Sequence, residues 1–253
     1  MAGRCNHVQD AWPGARHTPR MHFSHSPYIW SRFPELVPGV LFASGLHDRA
    51  QVGRQVAAFQ ATAQERLESV VSETELPEIQ AWRRVFQRMG LKPTQYRCAS
   101  ESLLRRFRKE GALPPLHALI DLCNAASLAF AIPVAVFDLA HVVESLEVRA
   151  AHGTETYLSF GGETEHPEPG EIIFADARGN AHARRWTHRQ SGLSAVRADT
   201  ATVLIVTEAM HAGAQGDVAR LMQALSQAFA EAWGATAQTA MLTAPTPRFD
   251  FAG

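Results

Sequence analysis

Residues 117–138, HALIDLCNAASLAFAIPVAVFD, decide the fold. The first fifteen are apolar almost all round, which fits a helix buried on every side better than one lying on a surface. Pro133 ends that segment, because proline lacks an amide donor and disfavours helix in the residue before it. Beyond it the spacing changes to the short, β-branched run VAVFDL, a strand pattern. The chain therefore turns from helical to strand-like text at Pro133.

Working outward confirms the division. Upstream, GVLFASGL (39–46) reads as a short first strand. Asp48 to Val71 carries Val52, Val56, Phe59 and Ala63 at helical spacing. A second helix starts near Pro77, where proline suits the first turn, and stops at Gly90. Ser100 to Lys109 is a third, stopped by Gly111. Downstream, SLEVRA, TYLSF, EIIFAD, AHARRW and ATVLIVTE are strand-like runs separated by Gly, Pro and Asp turns. Gly216 to Trp233 forms a last amphipathic helix. A helical first half and a β-rich second half make an α+β domain. The expected boundaries are a disordered extension over 1–33, one domain over 34–235 and a loose tail over 236–253.

No run approaches the ~20 apolar residues of a membrane helix, and residues 1–20 lack the apolar core of a signal peptide. Three scattered cysteines (Cys5, Cys98, Cys123) argue against a disulfide scaffold and fit a reducing cytoplasm. The chain lacks GxGxxG, GxxxxGK[ST], HExxH and GxSxG, which lowers the weight of dinucleotide, nucleotide, zinc-protease and serine-hydrolase chemistry. His182 and His188 are too loosely placed for a zinc site, so no metal and no cofactor are expected.

The formal charge of -1 hides a strong segregation. Residues 83–109 hold nine basic side chains, among them Arg83, Arg84, Arg88, Arg97, Arg105, Arg106 and Arg108, against Glu101 alone, a net of about +8. Arg184, Arg185, Arg189 and Arg197 form a second basic group, and seven glutamates between 144 and 171 an acidic one. Clustered cations are what a phosphate backbone requires; solvated, ion-paired helix faces are the plainer alternative.

Within the apolar helix, Cys123 is either a packed thiol or a nucleophile, and packing is favoured because no base accompanies it. Asp121 and Asn124, three residues apart, must be paired or line a pocket. The string ARRWTHRQ (183–190) sets an aromatic among arginines, the composition that stacks a base while neutralising phosphate, or else a strand edge followed by a basic turn.

Three stretches in order, KPTQYRCASESLLRR, LPPLHALIDLCNAASLAFAIPVAVFDL and GEIIFADARGNAHARRWTHRQ, resemble the tRNA-binding editing domain of the phenylalanyl-tRNA synthetase beta chain, most of all its free-standing forms. The resemblance spans roughly residues 77–210. It implies a helical N-terminal half packed on a β-sandwich-like core. It also implies a substrate, the acylated 3′ end of tRNA, whose ester a trans-acting deacylase hydrolyses. No obligate protein partner and no membrane are expected.

Carried over residue by residue, the family's Thr-Asn becomes Cys123 and Asn124, and its Phe-Asp pair becomes Phe137 and Asp138. The family's His falls on Ala135, and its pocket glutamate corresponds to Glu208. The resemblance therefore assigns catalysis to Asn124, His188 and Glu208, with His188 standing in for the missing His. It assigns substrate binding to Asp121, Cys123, Ala135, Trp186, Arg189 and Gln190, and the two basic clusters assign RNA binding to the arginines of residues 83–108 with Arg184 and Arg185. Loss of the His leaves a second reading open: a tRNA- or amino-acid-binding module without catalysis. A small-molecule ester or amide hydrolase is a third.

Overall fold

The computed structural model describes residues 20–252. The described chain opens with β1 (Arg20–His25), α1 (Pro27–Arg32) and β2 (Val37–Ser44). Four helices follow: α2 (Gly53–Glu68), α3 (Pro77–Arg88), α4 (Ala99–Glu110) and α5 (Ala118–Phe130). Then come β3 (Val134–Asp138), β4 (Ser145–Ala150), β5 (Tyr157–Leu158), β6 (Thr164–Glu165), β7 (Ile172–Asp176), β8 (Ala181–Arg184), β9 (Arg189–Gln190) and β10 (Thr202–Ala209). The chain closes with α6 (Ala214–Trp233), β11 (Gln238–Met241) and β12 (Arg248–Ala252). The α+β class expected from the sequence is the class observed.

Two sheets carry the architecture. One has the order β12-β1-β4-β7-β8-β9, the other β11-β2-β10-β3. Around β2, β10 and β3 the four-stranded sheet is covered on both faces, which explains why these strands read as largely apolar runs. Val40, Phe42, Leu204 and Val206 face one core, shared with Phe23, Leu146 and Phe174 of the larger sheet and with α3 and α4. Their neighbours Leu41, Ala43, Val203 and Ile205 face the other way, onto α5 and α6. The two sets alternate residue by residue, as a pleated strand demands. At Gly39 the helix α6 comes so close that a Cβ would lie 2.7 Å from Val218 and 2.8 Å from Met222. Glycine is therefore needed there.

Two expectations are corrected. Residues 20–33 are not a disordered extension: β1 lies inside the six-stranded sheet, antiparallel to β12 and parallel to β4. Phe23, Ile29 and Phe33 have no exposed surface, and His25 is 2% exposed. The rest of the expected extension, residues 1–19, falls outside the described residues. Of the expected tail over 236–253, residues 236–252 are not loose either, since β11 extends the smaller sheet beside β2 and β12 covers the edge of β1, while residue 253 falls outside the described residues. Both segments are too short to stand alone and are stabilised by pairing with partners far away in sequence. No helix among the described residues is long and apolar enough to cross a membrane.

Candidate functional site

The junction that decides the fold also builds the site. His117 caps α5, its ring Nδ1 accepting the Leu119 amide at 3.1 Å. The helix ends at Ala131 in a left-handed turn (φ 55°), and β3 follows. β3 pairs antiparallel with β10, setting Ala135 opposite Val206, two residues before Glu208. From the other sheet, the β8–β9 turn brings residues 185–188 against this edge. Arg185 and Trp186 both adopt positive φ, 48° and 59°. Such backbone is costly outside glycine, about 1–3 kcal/mol per residue. It is held by the Trp186 amide donating to the Ile172 carbonyl and the Arg185 amide donating to Glu171.

These elements enclose a cavity of about 60 Å³ whose lining includes Ala135, Trp186, His188, Arg189, Gln190 and Glu208. Beside it runs a groove of about 340 Å³ lined by Leu116, Cys123, Asn124, Phe160, Gln190 and Val196, among others. Gln190 and Val134 line both spaces. Three residues expected to act in catalysis are thus distributed: His188 and Glu208 in the cavity, Asn124 in the adjoining groove. Asn124 also borders a second groove with Asp121, Gln60 and Pro114. The Asp121 carboxylate accepts the Leu116 amide at 2.9 Å, so it is paired as well as facing a groove.

His188 is held in one ring orientation. Its Nδ1 donates to the Arg97 carbonyl at 2.7 Å, and Tyr96 and Phe86 meet its ring edge-on. A neutral ring fixed this way keeps Nε2 as its acceptor. Burial lowers its pKa below 6.5. The bond to Arg97 pulls the other way, while the charges of Arg185 and Arg189 add to the lowering.

Glu208 lines the cavity, and its carboxylate is engaged by the fold. Its oxygens accept the Trp186 indole N–H at 2.9 and 3.0 Å, and His25 Nε2 lies 2.7 Å from Oε1. The Trp82 indole N–H donates to the Glu208 backbone carbonyl at 3.2 Å. Trp186 itself is wholly buried, in edge contact with Phe33 and Trp82. It therefore has no free face on which to stack a base, which corrects that reading of ARRWTHRQ. Cys123 is 2% exposed and its thiol pKa is pushed up by burial, so it packs rather than attacks.

The basic region is largely neutralised within the fold. Arg83 and Arg97 converge on buried Glu101. Arg105 and Arg108 flank Glu73, Arg106 pairs with Glu110, and Arg88 pairs with Glu35. Arg108 also donates to the Leu67 carbonyl in the last turn of α2 and to the Val70 and Val71 carbonyls just beyond it. Glu35 and Glu73 lie outside residues 83–109, so the local count of +8 overstates the field. Arg184 is corrected outright: it is 5% exposed and held by Glu165 and Glu171, out of reach of any phosphate. Arg84, Lys92 and Lys109 are exposed and form no ion pair among the described residues. Arg185 lies over Tyr96 at 4.8 Å.

Sequence reading missed His25, Trp82, Leu116 and Phe160. Leu116 and Phe160 are exposed apolar side chains, 71% and 73%, at the groove. An aromatic before the Gly161–Gly162 turn was the available signal for Phe160.

Comparison with known proteins matches residues 81–229 to the B3/4 domain family model. The phenylalanine–tRNA ligase beta subunit of Cereibacter sphaeroides is 35% identical over 74 residues, 29% of this chain and 9% of that protein. The same subunit from Bradyrhizobium diazoefficiens is 37% identical over 79 residues, 31% of this chain and 10% of that protein. The matched part is thus about a tenth of the length of these curated relatives. Among solved structures, an N-terminal fragment of the phenylalanyl-tRNA synthetase beta subunit from Pyrococcus horikoshii covers 85% of this chain and 49% of its own, at 13% identity and a TM-score of 0.44. With more than half of its length matched by that family model, the chain belongs to the B3/4 domain family.

Proposed function

We propose that this chain binds the acylated 3′ end of tRNA and hydrolyses the ester of mischarged aminoacyl-tRNA in the cytoplasm. The observation that carries the reading is that His188 lines the same cavity as Ala135, the position at which the resembling editing domains have their His. The cavity has room for a few water molecules and not for an aminoacyl group. The adjoining groove is large enough for that group, with Leu116 and Phe160 at its rim.

In this mechanism, His188 Nε2 takes a proton from a water in the cavity as the water oxygen bonds to the ester carbonyl carbon. The Asn124 amide, and the second N–H of the Gln190 amide whose first donates to the Val136 carbonyl, supply hydrogen-bond donors toward the developing oxyanion. The carbonyl then re-forms, the bond to the ribose oxygen breaks, and that oxygen receives the proton held by His188. Glu208 serves as a positioning residue, holding Trp186 and with it the turn that carries His188. Arg84, Lys92, Lys109 and Arg185 contribute phosphate contacts.

The test is deacylation of a panel of mischarged tRNAs by the full chain. Turnover of at least one tRNA that falls in His188→Gln supports the reading. No turnover on any of them at micromolar enzyme overturns it. One observation favours the second reading, a binding module: both Glu208 oxygens are engaged by the fold and Ala135 offers no polar group. Tight, salt-dependent binding of tRNA without turnover would favour that module.

A further inference from the structure

Glu78, His211 and Asp217 meet where the first turn of α3 abuts the junction of β10 and α6. None of them lines the cavity or grooves described above. One donor atom from each lies within 4.8 Å of the others. His211 Nε2 and Asp217 Oδ2 are 2.7 Å apart. Arg66 donates to Glu78 Oε1 at 2.7 Å, and Arg220 pairs with Asp217 Oδ1. Glu78 Oε2 and His211 Nδ1 remain buried without a hydrogen-bond partner among the described residues. The residues that carry them are 5% and 8% exposed. Buried polar atoms are almost always satisfied, so the orphaned Glu78 Oε2, beside His211 Nε2 and Asp217 Oδ2, calls for a ligand. Gly213 supplies a second sign. A Cβ there would lie 3.1 Å from Asp217 Oδ2 and 3.4 Å from His211 Nε2, so glycine leaves open the space against both donors.

We propose that Glu78, His211 and Asp217 form a site for a divalent cation of the zinc class, with a fourth position open to water. One imidazole and two carboxylates suit zinc, whereas calcium takes six to eight oxygens. Tetrahedral ligands at zinc distances lie about 3.4 Å apart. The His211–Asp217 pair therefore opens from 2.7 Å by about 0.7 Å, and Glu78 comes to the same spacing. The ion takes the place of the proton between His211 Nε2 and Asp217, and that proton moves to Nδ1, so that His211 coordinates as a neutral imidazole. Arg66 and Arg220, each on the other oxygen of its carboxylate, hold the donors in orientation. The ion would clip the start of α3 to the end of β10, three residues beyond Glu208.

The experiment uses the full chain, stripped of metal and then equilibrated with zinc chloride. The expected result is one zinc per chain and a rise in Tm of about 5–10 °C at a hundredfold excess over Kd. Glu78→Gln, His211→Gln and Asp217→Asn should each weaken zinc binding at least ~10-fold. Should a variant fail to fold, the cobalt-substituted wild type still decides. A spectrum without thiolate charge transfer supports the site, and one with it assigns the metal to a cysteine and overturns the proposal. Two other outcomes overturn it: no zinc bound at that excess, or zinc bound unchanged in all three variants, as by the His7 and His17 segment.

Discussion

Trp186 donates its indole N–H to both carboxylate oxygens of Glu208, at 2.9 and 3.0 Å, inside a core that exposes neither side chain appreciably. A buried carboxylate that loses a donor retains its desolvation cost, about 1–3 kcal/mol. Trp186→Phe should therefore destabilise the fold by roughly that amount plus a cavity contribution, read as a lower urea midpoint at pH 7. A stability change under 0.5 kcal/mol would mean that the contact does not anchor the β8–β9 turn.

His188 is the proposed base, and its environment sets the pH dependence. Burial holds its pKa below the ordinary 6.5, with the Arg97 carbonyl opposing and the nearby arginines adding to the effect. A lowered pKa keeps the ring neutral, and so competent as a base, at pH 7 and somewhat below. Deacylation should be flat near pH 7 and fall only on an acidic limb below 6.5. His188→Gln should reduce the rate by ~10²-fold or more with little change in Tm. A limb centred above 6.5 would assign the proton transfer to another group.

The arginines separate into two kinds by what they touch. Arg184→Ala would take the guanidinium from buried Glu171 and leave Glu165 with Arg189 alone, and breaking a buried pair costs about 3–5 kcal/mol. Its consequence is lost folding, seen in a thermal melt. Neutralising Arg84, Lys92 or Lys109 should leave the melt unchanged. Each should instead lower the slope of log K against log salt for tRNA binding by about one. Equal slopes for the triple variant and the wild type would exclude these three side chains from the RNA contact.

The division between these two kinds of arginine was hidden in the linear text. Charge order along residues 83–109 is legible, but the carboxylates that neutralise it, Glu35 and Glu73, arrive from other elements. The helix–strand switch at Pro133, the helices around it and the strands after it were legible, because each carries its own period. The terminal strands were not. RMHFSH and RFDFA do alternate, with Met21, Phe23 and His25 inward and Phe251 buried. Each is short, however, and histidine reads as polar until a partner such as Glu208 is in view. The cavity residues Ala135, His188 and Gln190 were named from sequence, but the sequestering of Glu208 depends on His25 and Trp82, which no local pattern connects to it.

Asp176 offers a stability measurement independent of activity. Burial opposes its charge. Hydrogen bonds from His182 and from the side chain and amide of Asn180 outweigh that, and hold its carboxyl at about 2 against an ordinary 3.8. A lowered acid pKa means that the unfolded chain binds the proton more tightly. The stabilisation is therefore complete above pH 4 and lost as pH falls toward 2. The shift corresponds to about 2 kcal/mol at pH 7. Asp176→Asn should lose at least that much at neutral pH, because its amide cannot accept every donor now aimed at the carboxylate. It should also flatten the decline in unfolding free energy between pH 4 and 2. Some decline must remain, since Glu155, accepting the His152 and Gly153 amides and paired with Arg149, also sits at about 2. Urea titrations at pH 7, 4 and 3 on wild type and variant test this directly. A variant that keeps the full wild-type slope would show that Asp176 is not the titrating group.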